Sequence, residues 1–400
     1  MGMSKTLIRD LSLAERDRRW RAIRDHMEKR GLDCLVIRGI SSKWDSGTAN
    51  IRYVSQIGGN GEEAMAVMGR SGEPIVLVWA PSQVGWWAQA QNWVKDVRQG
   101  SPSWAAKTVE AVAQLGCETG RIGVVGIGGR SEAGRILSHD IYSGIRAALP
   151  GAHFEPASDI LETVRLCKSP EEIAQIARSC ALGDIGVRAM LAAARPGIKG
   201  YELYGEILGA VFRAGGESPM FLLYEADREP RHAVRFPSAA PLEQGDWVIQ
   251  EISPKYAGYW SQVMVPVCLG KPDPLYRRLA DAAIAGYLEA IKTIRPGIGT
   301  RALAEAINRP IREAGFTAFH PQWQGLGLEQ LEEPSDWHTA GAVVSAEVRN
   351  DVLQEGMVLG LQPMASTLDR SKGLQIGDTV VVTAEGCRVL GETKMDIYSV

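Results

Sequence analysis

Gln244-Gly245-Asp246-Trp247-Val248-Ile249-Gln250-Glu251 is a turn that opens into an apolar run and ends on a carboxylate. After a short break the chain continues as Tyr256-Ala257-Gly258-Tyr259-Trp260-Ser261-Gln262. A glycine-aspartate turn followed by apolar residues reads as the entry to a strand. The flanks of this stretch repeat. Arg195-Pro196-Gly197-Ile198 lies upstream and Arg295-Pro296-Gly297-Ile298 downstream, 100 residues apart. Each copy sits between a long helical pattern (about 171–193; about 273–293) and a shorter one (about 201–214; about 301–314), and β-like runs follow each pair. A domain of two related halves is implied.

That domain has a marked beginning. Ser169-Pro170-Glu171-Glu172 supplies an N-cap serine, a proline at the first helical position and a glutamate at the third. Before it, residues 12–30 place Trp20, Ile23 and Met27 on one face of a charged helix that ends at Gly31. Short apolar runs at Cys34–Ile37, Met65–Met68, Ile75–Trp79 and Ile122–Val125 then predict a small α/β domain. The expected division is 1–160 and 161–400, and 400 residues suffice for two separate cores.

Charge and composition narrow the function classes. The formal charge is −3, with 44 basic and 47 acidic residues interleaved, so no long-range field attracts a phosphate polymer and nucleic acid is not an expected partner. No apolar run approaches the ~18 residues that cross a bilayer, so no membrane role is expected. Six scattered cysteines without a C-x-x-C pair read as reduced thiols in a cytoplasm. Val125-Gly126-Ile127-Gly128-Gly129 falls short of a dinucleotide fingerprint, because position 131 is serine.

The 244–262 stretch has companions downstream: Gln324-Gly325-Leu326-Gly327-Leu328, Glu332-Glu333-Pro334, Glu355-Gly356-Met357-Val358 with Gln362-Pro363, and Asp378 to Gly386. Their order and spacing resemble the creatinase/aminopeptidase P/methionine aminopeptidase superfamily from about residue 165 to 390. Residues 1–160 are similar to the small N-terminal domain of creatinase and prolidase, through their position and the stretch Asn50-Ile51-Arg52-Tyr53. The resemblance implies an α/β (α+β) chain, with a creatinase-like N-terminal domain followed by a pseudo-symmetric pita-bread domain.

The departures from the family pattern are concentrated at its metal ligands. Two aspartates, a histidine and two glutamates hold divalent cations in that family, and the matching positions here carry Glu251, Gln262, Gln324, Gln362 and Gly377. A second family histidine falls on Leu331. Neutral amides bind metal weakly, so neither metal nor other cofactor is expected. By resemblance to creatinase and ectoine hydrolase, the expected activity is metal-independent hydrolysis of a C–N bond in a small polar metabolite: an amidine, cyclic amidine or amide. In that scheme His232 shuttles a proton and Glu251 activates water or attacks directly. Gln262, Gln324 and Gln362 orient the substrate, and Tyr224, Trp260 and Trp323 supply aromatic walls. Glu332 and Glu333 are further carboxylates beside the pocket, with the inward one left open. The loop Gln56–Glu63, containing Asn60, corresponds to a region that reaches the partner's site in creatinase-like dimers, which implies a homodimer. A lyase or decarboxylase on the same fold, and a non-catalytic binding protein, are the alternatives.

Overall fold

The computed structural model describes residues 11–59, 61–231, 236–318, 321–335 and 350–400. The chain forms two units, one reaching to Leu166 and the other beginning at Cys167.

In the first unit, helix α1 (Leu13–Arg30) starts where the Ser12 side chain accepts from the Glu15 amide, and it ends on Gly31 at φ +67°. Its Trp20, Ile23 and Met27 are buried, and the Trp20 indole donates to the Val54 carbonyl at 2.8 Å. Six strands follow: β1 (Cys34–Ile40), β2 (Glu63–Gly69), β3 (Ile75–Val78), β4 (Val97–Gln99), β5 (Arg121–Val125) and β6 (His153–Pro156). They form one sheet in the order β4-β3-β2-β1-β5-β6, parallel where a helical crossover joins them and antiparallel across β1-β2-β3. Helices α2 (Ala49–Ser55), α3 (Pro81–Ala90), α4 (Trp104–Gln114), α5 (His139–Ala148) and α6 (Ser158–Arg165) complete the unit. The apolar runs found in the sequence are β1, β2, β3 and β5; β4 and β6 are short and partly exposed, and leave no such signal.

The second unit opens with α7 (Pro170–Ala193), whose capping box joins Ser169 and Glu172 in both directions. Helix α8 (Gly200–Arg213) packs on it, and the pair α9 (Pro274–Thr293) and α10 (Thr300–Glu313) repeats the arrangement. The two Arg-Pro-Gly-Ile segments make the same turn. Gly197 and Gly297 stand at φ +90° and +89°, where a side chain would be strained. Gly197 donates to the Leu242 carbonyl and Gly297 to the Leu353 carbonyl at 2.8 and 2.9 Å, and Ile198 and Ile298 accept from those same two residues. The internal repeat is therefore built into the backbone.

Between the helix pairs lie short strands: β7 (Phe221–Asp227), β8 (Trp247–Ser253), β9 (Lys255–Tyr256), β10 (Tyr259–Trp260) and β11 (Val267–Cys268) in the first half. The second half supplies β12 (Thr317–Ala318), β13 (Trp323–Gly325), β14 (Glu332–Ser335), β15 (Val358–Leu361), β16 (Met364–Ser366), β17 (Gly373–Gln375), β18 (Thr379–Val382), β19 (Cys387–Val389) and β20 (Tyr398–Ser399). Their main sheets run β20-β11-β8-β7 and β14-β13-β15-β18-β19, and a bridge between Met264 and Gly377 ties one half to the other. No helix among the described residues is long and apolar enough to cross a membrane.

Candidate active site

Strand β8 is buried along its whole length, and its side chains alternate between two faces. Ile252 and Val248 join Leu222 and Tyr224 in the core beneath α7 and α8. Glu251 points the other way, with Ser253 two residues on. The Ser253 hydroxyl donates to Glu251 Oε1 at 3.2 Å, and Gln330 Nε2 donates to the same oxygen at 2.9 Å. Burial pushes the Glu251 carboxyl up to about 7, against these two hydrogen bonds, which lower it. A carboxyl that changes charge near neutrality suits proton transfer.

The β9–β10 hairpin turns the chain back so that Gln262 enters the same interior. Its backbone is fixed by Thr379, whose hydroxyl accepts from the Gln262 amide at 2.9 Å and donates to the Gln262 carbonyl at 3.0 Å. Gln324 comes from β13 and Gln362 follows β15. The three side chains bond to one another. Gln324 Nε2 donates to Gln262 Oε1 at 2.9 Å, Gln262 Nε2 donates to Gln362 Oε1 at 3.0 Å, and Gln362 Nε2 donates to the Pro321 carbonyl at 3.0 Å. Gln324 Nε2 also reaches the Gln330 carbonyl at 3.3 Å, which connects the amides to the residue that holds Glu251. All three glutamines are buried, which requires that their amides find hydrogen-bond partners inside the protein, and these bonds supply them.

Two glycines make room for this cluster. A Cβ on Gly360 would lie 2.4 Å from the Gln262 amide carbon, so the strand opposite Gln324 must be bare there. A Cβ on Gly377 would lie 1.9 Å from the Leu361 carbonyl oxygen. The fifth family ligand position therefore has no space for a side chain. The remaining four offer one carboxylate and three amides engaged with each other, and no three His, Cys, Asp or Glu among the described residues could hold an ion. This donor set does not fit a dinuclear metal centre.

The other candidate residues are distributed as follows. Glu332 is buried in an ion pair with Lys168 at 2.7 Å and accepts from the Glu329 amide at 3.2 Å, so its carboxylate braces the Gly327 turn. Glu333 is half-buried. Trp260 is fully buried with the Lys255 ammonium 5.2 Å from its ring centre, a buried cation that spacing alone does not reveal. Trp323 lies on the opposite face of β13 from Gln324. Tyr224 lies on the opposite face of its sheet from Glu251, packed edge-on against Tyr204 at 5.7 Å. His232 and Asn60 lie outside the described residues. The structure adds Gln330, Ser253, Lys168 and Lys255 to the site. Ser253 carries a readable signal, since it is two residues from Glu251 on one strand.

The comparisons with known proteins agree with this architecture. The profile of Metallopeptidase family M24 matches residues 174–384, and that of the Creatinase/Prolidase N-terminal domain matches 19–167. An Xaa-Pro dipeptidase of Pyrococcus furiosus is 24% identical over 266 residues, covering 65% of this chain and 73% of that protein. An Xaa-Pro dipeptidase of Lactobacillus helveticus is 26% identical over 267 residues, covering 65% and 70%. Among solved structures, the X-Pro aminopeptidase from Thermotoga maritima MSB8 superposes with a TM-score of 0.80 at 18% identity, over 98% of this chain and 100% of that one. The prolidase from Pyrococcus horikoshii OT3 gives 0.77 at 20% identity, over 95% and 99%. The fold is thus the mixed α/β pita-bread arrangement with a creatinase-like N-terminal domain. One expectation is corrected. Metal-independent hydrolysis of a non-peptide C–N bond is overturned by relatives named for peptide substrates within a metallopeptidase family.

Proposed function

The chain belongs to Metallopeptidase family M24, and from that premise we propose that it is a hydrolase acting on short peptides of the Xaa-Pro type. The named relatives support the substrate class. The observation that carries the chemistry is Glu251, a fully buried carboxyl held by Ser253 and Gln330 and pushed up by burial to about 7. In its ionised form it takes a proton from water as the oxygen adds to the peptide carbonyl carbon. The same proton then passes to the departing amine as the C–N bond breaks. Since the donor set does not fit a dinuclear centre, no step is drawn through a metal.

A second reading, peptide binding without turnover, is favoured by the amide cluster, in which Gln262 and Gln362 use their groups on each other. One experiment separates the two. The purified protein is incubated with alanyl-proline, and both free proline and saturable binding are measured. Release that Glu251→Gln abolishes supports the hydrolase; binding without release supports the second reading. Neither release nor binding would overturn both.

The proposal includes a homodimer in a reducing compartment. The N-terminal domain match supports the former and the six free cysteines the latter. Light scattering on the purified chain checks the dimer.

A further inference from the structure

Two of the six free cysteines meet inside the first unit, in one core cluster. Cys34 opens β1 and is fully buried, while Cys117 lies in the turn between α4 and β5 at 7% exposure. The backbone fixes both positions. The Cys117 amide donates to the Val112 carbonyl in the last turn of α4 at 3.1 Å, and the Cys117 carbonyl accepts from the Gly120 amide at 3.0 Å. Next in the chain, the Asp33 amide donates to the Arg121 carbonyl and the Arg121 amide to the Asp33 carboxylate, both at 2.8 Å. Cys34 and Ile122 then pair in parallel register. The turn that carries Cys117 is thereby laced to the first residue of β1.

The two thiols are in contact, and the contact is directional. Cys117 turns its S–H to the Leu115 carbonyl at 3.5 Å, and its sulfur accepts from the Cys34 thiol. Burial pushes the Cys117 thiol up, and the Asp33 and Glu118 carboxylates add to this, but the Cys34 hydrogen bond and the Arg70 guanidinium act the other way. Burial pushes Cys34 up as well, and there Cys117 and Asp33 only add to it. The thiolate therefore falls to Cys117, the more exposed of the pair, and Cys34 stands against it as the resolving thiol.

We propose that Cys34 and Cys117 form a peroxide-responsive dithiol switch that closes to a disulfide within the folded protein. The Cys117 thiolate attacks one oxygen of hydrogen peroxide, the O–O bond breaks, and hydroxide leaves to take up the proton that Cys117 released. The Cys34 sulfur then attacks the sulfenic sulfur of Cys117. The S–O bond breaks and water departs with the Cys34 proton, so that two thiols are oxidised to one disulfide and the peroxide is reduced to two waters. The bond ties together residues 83 positions apart, and an unfolded chain that carries it has fewer conformations to gain.

The purified protein is treated with hydrogen peroxide at neutral pH, alkylated, digested without reduction and mapped by mass spectrometry. A linked Cys34–Cys117 peptide is expected, with a melting temperature raised by several degrees, and dithiothreitol should reverse both. In Cys34→Ala, dimedone should label Cys117 as the sulfenic acid; in Cys117→Ala, Cys34 should stay unmodified. Circular dichroism confirms that both variants are folded, and the map of the parent decides the matter without them. Absence of the linked peptide, a link that forms in urea but not in the folded protein, or dimedone on Cys34 in folded Cys117→Ala overturns the proposal.

Discussion

Gln262 donates to Gln362 at 3.0 Å, and these residues stand 100 positions apart in the chain. The same interval separates Gly197 from Gly297 and the first residues of α8 and α10. The bond thus joins the two halves of the internal repeat at their common centre. Gln262→Leu leaves the buried Gln362 Oε1 without its donor, and the unfolding free energy should fall by ~1–3 kcal/mol. In Gln262→Leu/Gln362→Leu the second change should cost less than it does alone, because the orphaned oxygen is gone with it. Urea unfolding of the three variants measures the coupling, and strict additivity would show that the bond carries no stability.

Stability should also depend on pH through Glu251. Burial raises it to about 7 from the ordinary glutamate value of 4.5, so between these limits the folded state binds more protons than the unfolded state. Stability therefore falls as pH rises from about 4.5 to 7 and levels off above. Asp378, raised by burial to about 8, extends the decline upward. Glu251→Gln should be equal to the parent in stability near pH 4, more stable at pH 8, and flatter in between. Thermal melts across this range check the sign. Hydrolysis, which needs the ionised carboxylate, should instead rise through pH 7 and vanish in the variant.

Much of this organisation is legible in the chain itself. The Ser169 cap, the two Arg-Pro-Gly-Ile turns and the alternation along 247–253 specify helices, turns and strand from local chemistry, and the structure places α8 and α10 within a residue of the sequence ranges. The spacing from Glu251 to Gln262 also brings both to one interior. The pairing of the amides was not legible, because it depends on which side chains from β13, β15 and the β9–β10 hairpin meet after folding. The same holds for Glu332, whose partner Lys168 is 164 residues away. Tyr224 was misread as facing the Glu251 pocket for a simpler reason. It pairs with Gln250, one residue off Glu251, and a shift of one residue reverses the face.

Lys168 and Glu332 give a prediction about buried charge. Both side chains are nearly inaccessible, so Lys168→Met should strand a carboxylate and destabilise by ~3–5 kcal/mol. Lys168→Met/Glu332→Leu should recover much of that loss, since neither member is left charged without a partner. A double variant no more stable than the single one would mean that Glu332 is held by the Glu329 amide rather than by the lysine.

Gly377 tests the closure of the family's metal positions directly. Gly377→Ala places a Cβ against the Leu361 carbonyl at a position whose backbone is bridged to Met264, and overpacking of this kind costs ~1–3 kcal/mol. The melting temperature should fall accordingly. Gly377→Glu restores the carboxylate that the family pattern has there, yet the amides of Gln262, Gln324 and Gln362 still bond to one another. It should be destabilised at least as much, and elemental analysis after dialysis against manganese or zinc should find no stoichiometric ion in parent or variant. Chelator treatment of the parent should leave its melting temperature unchanged, because no ion contributes to the folded state through these positions. Stoichiometric metal lost together with stability on chelation would show that the glutamines rearrange to admit it.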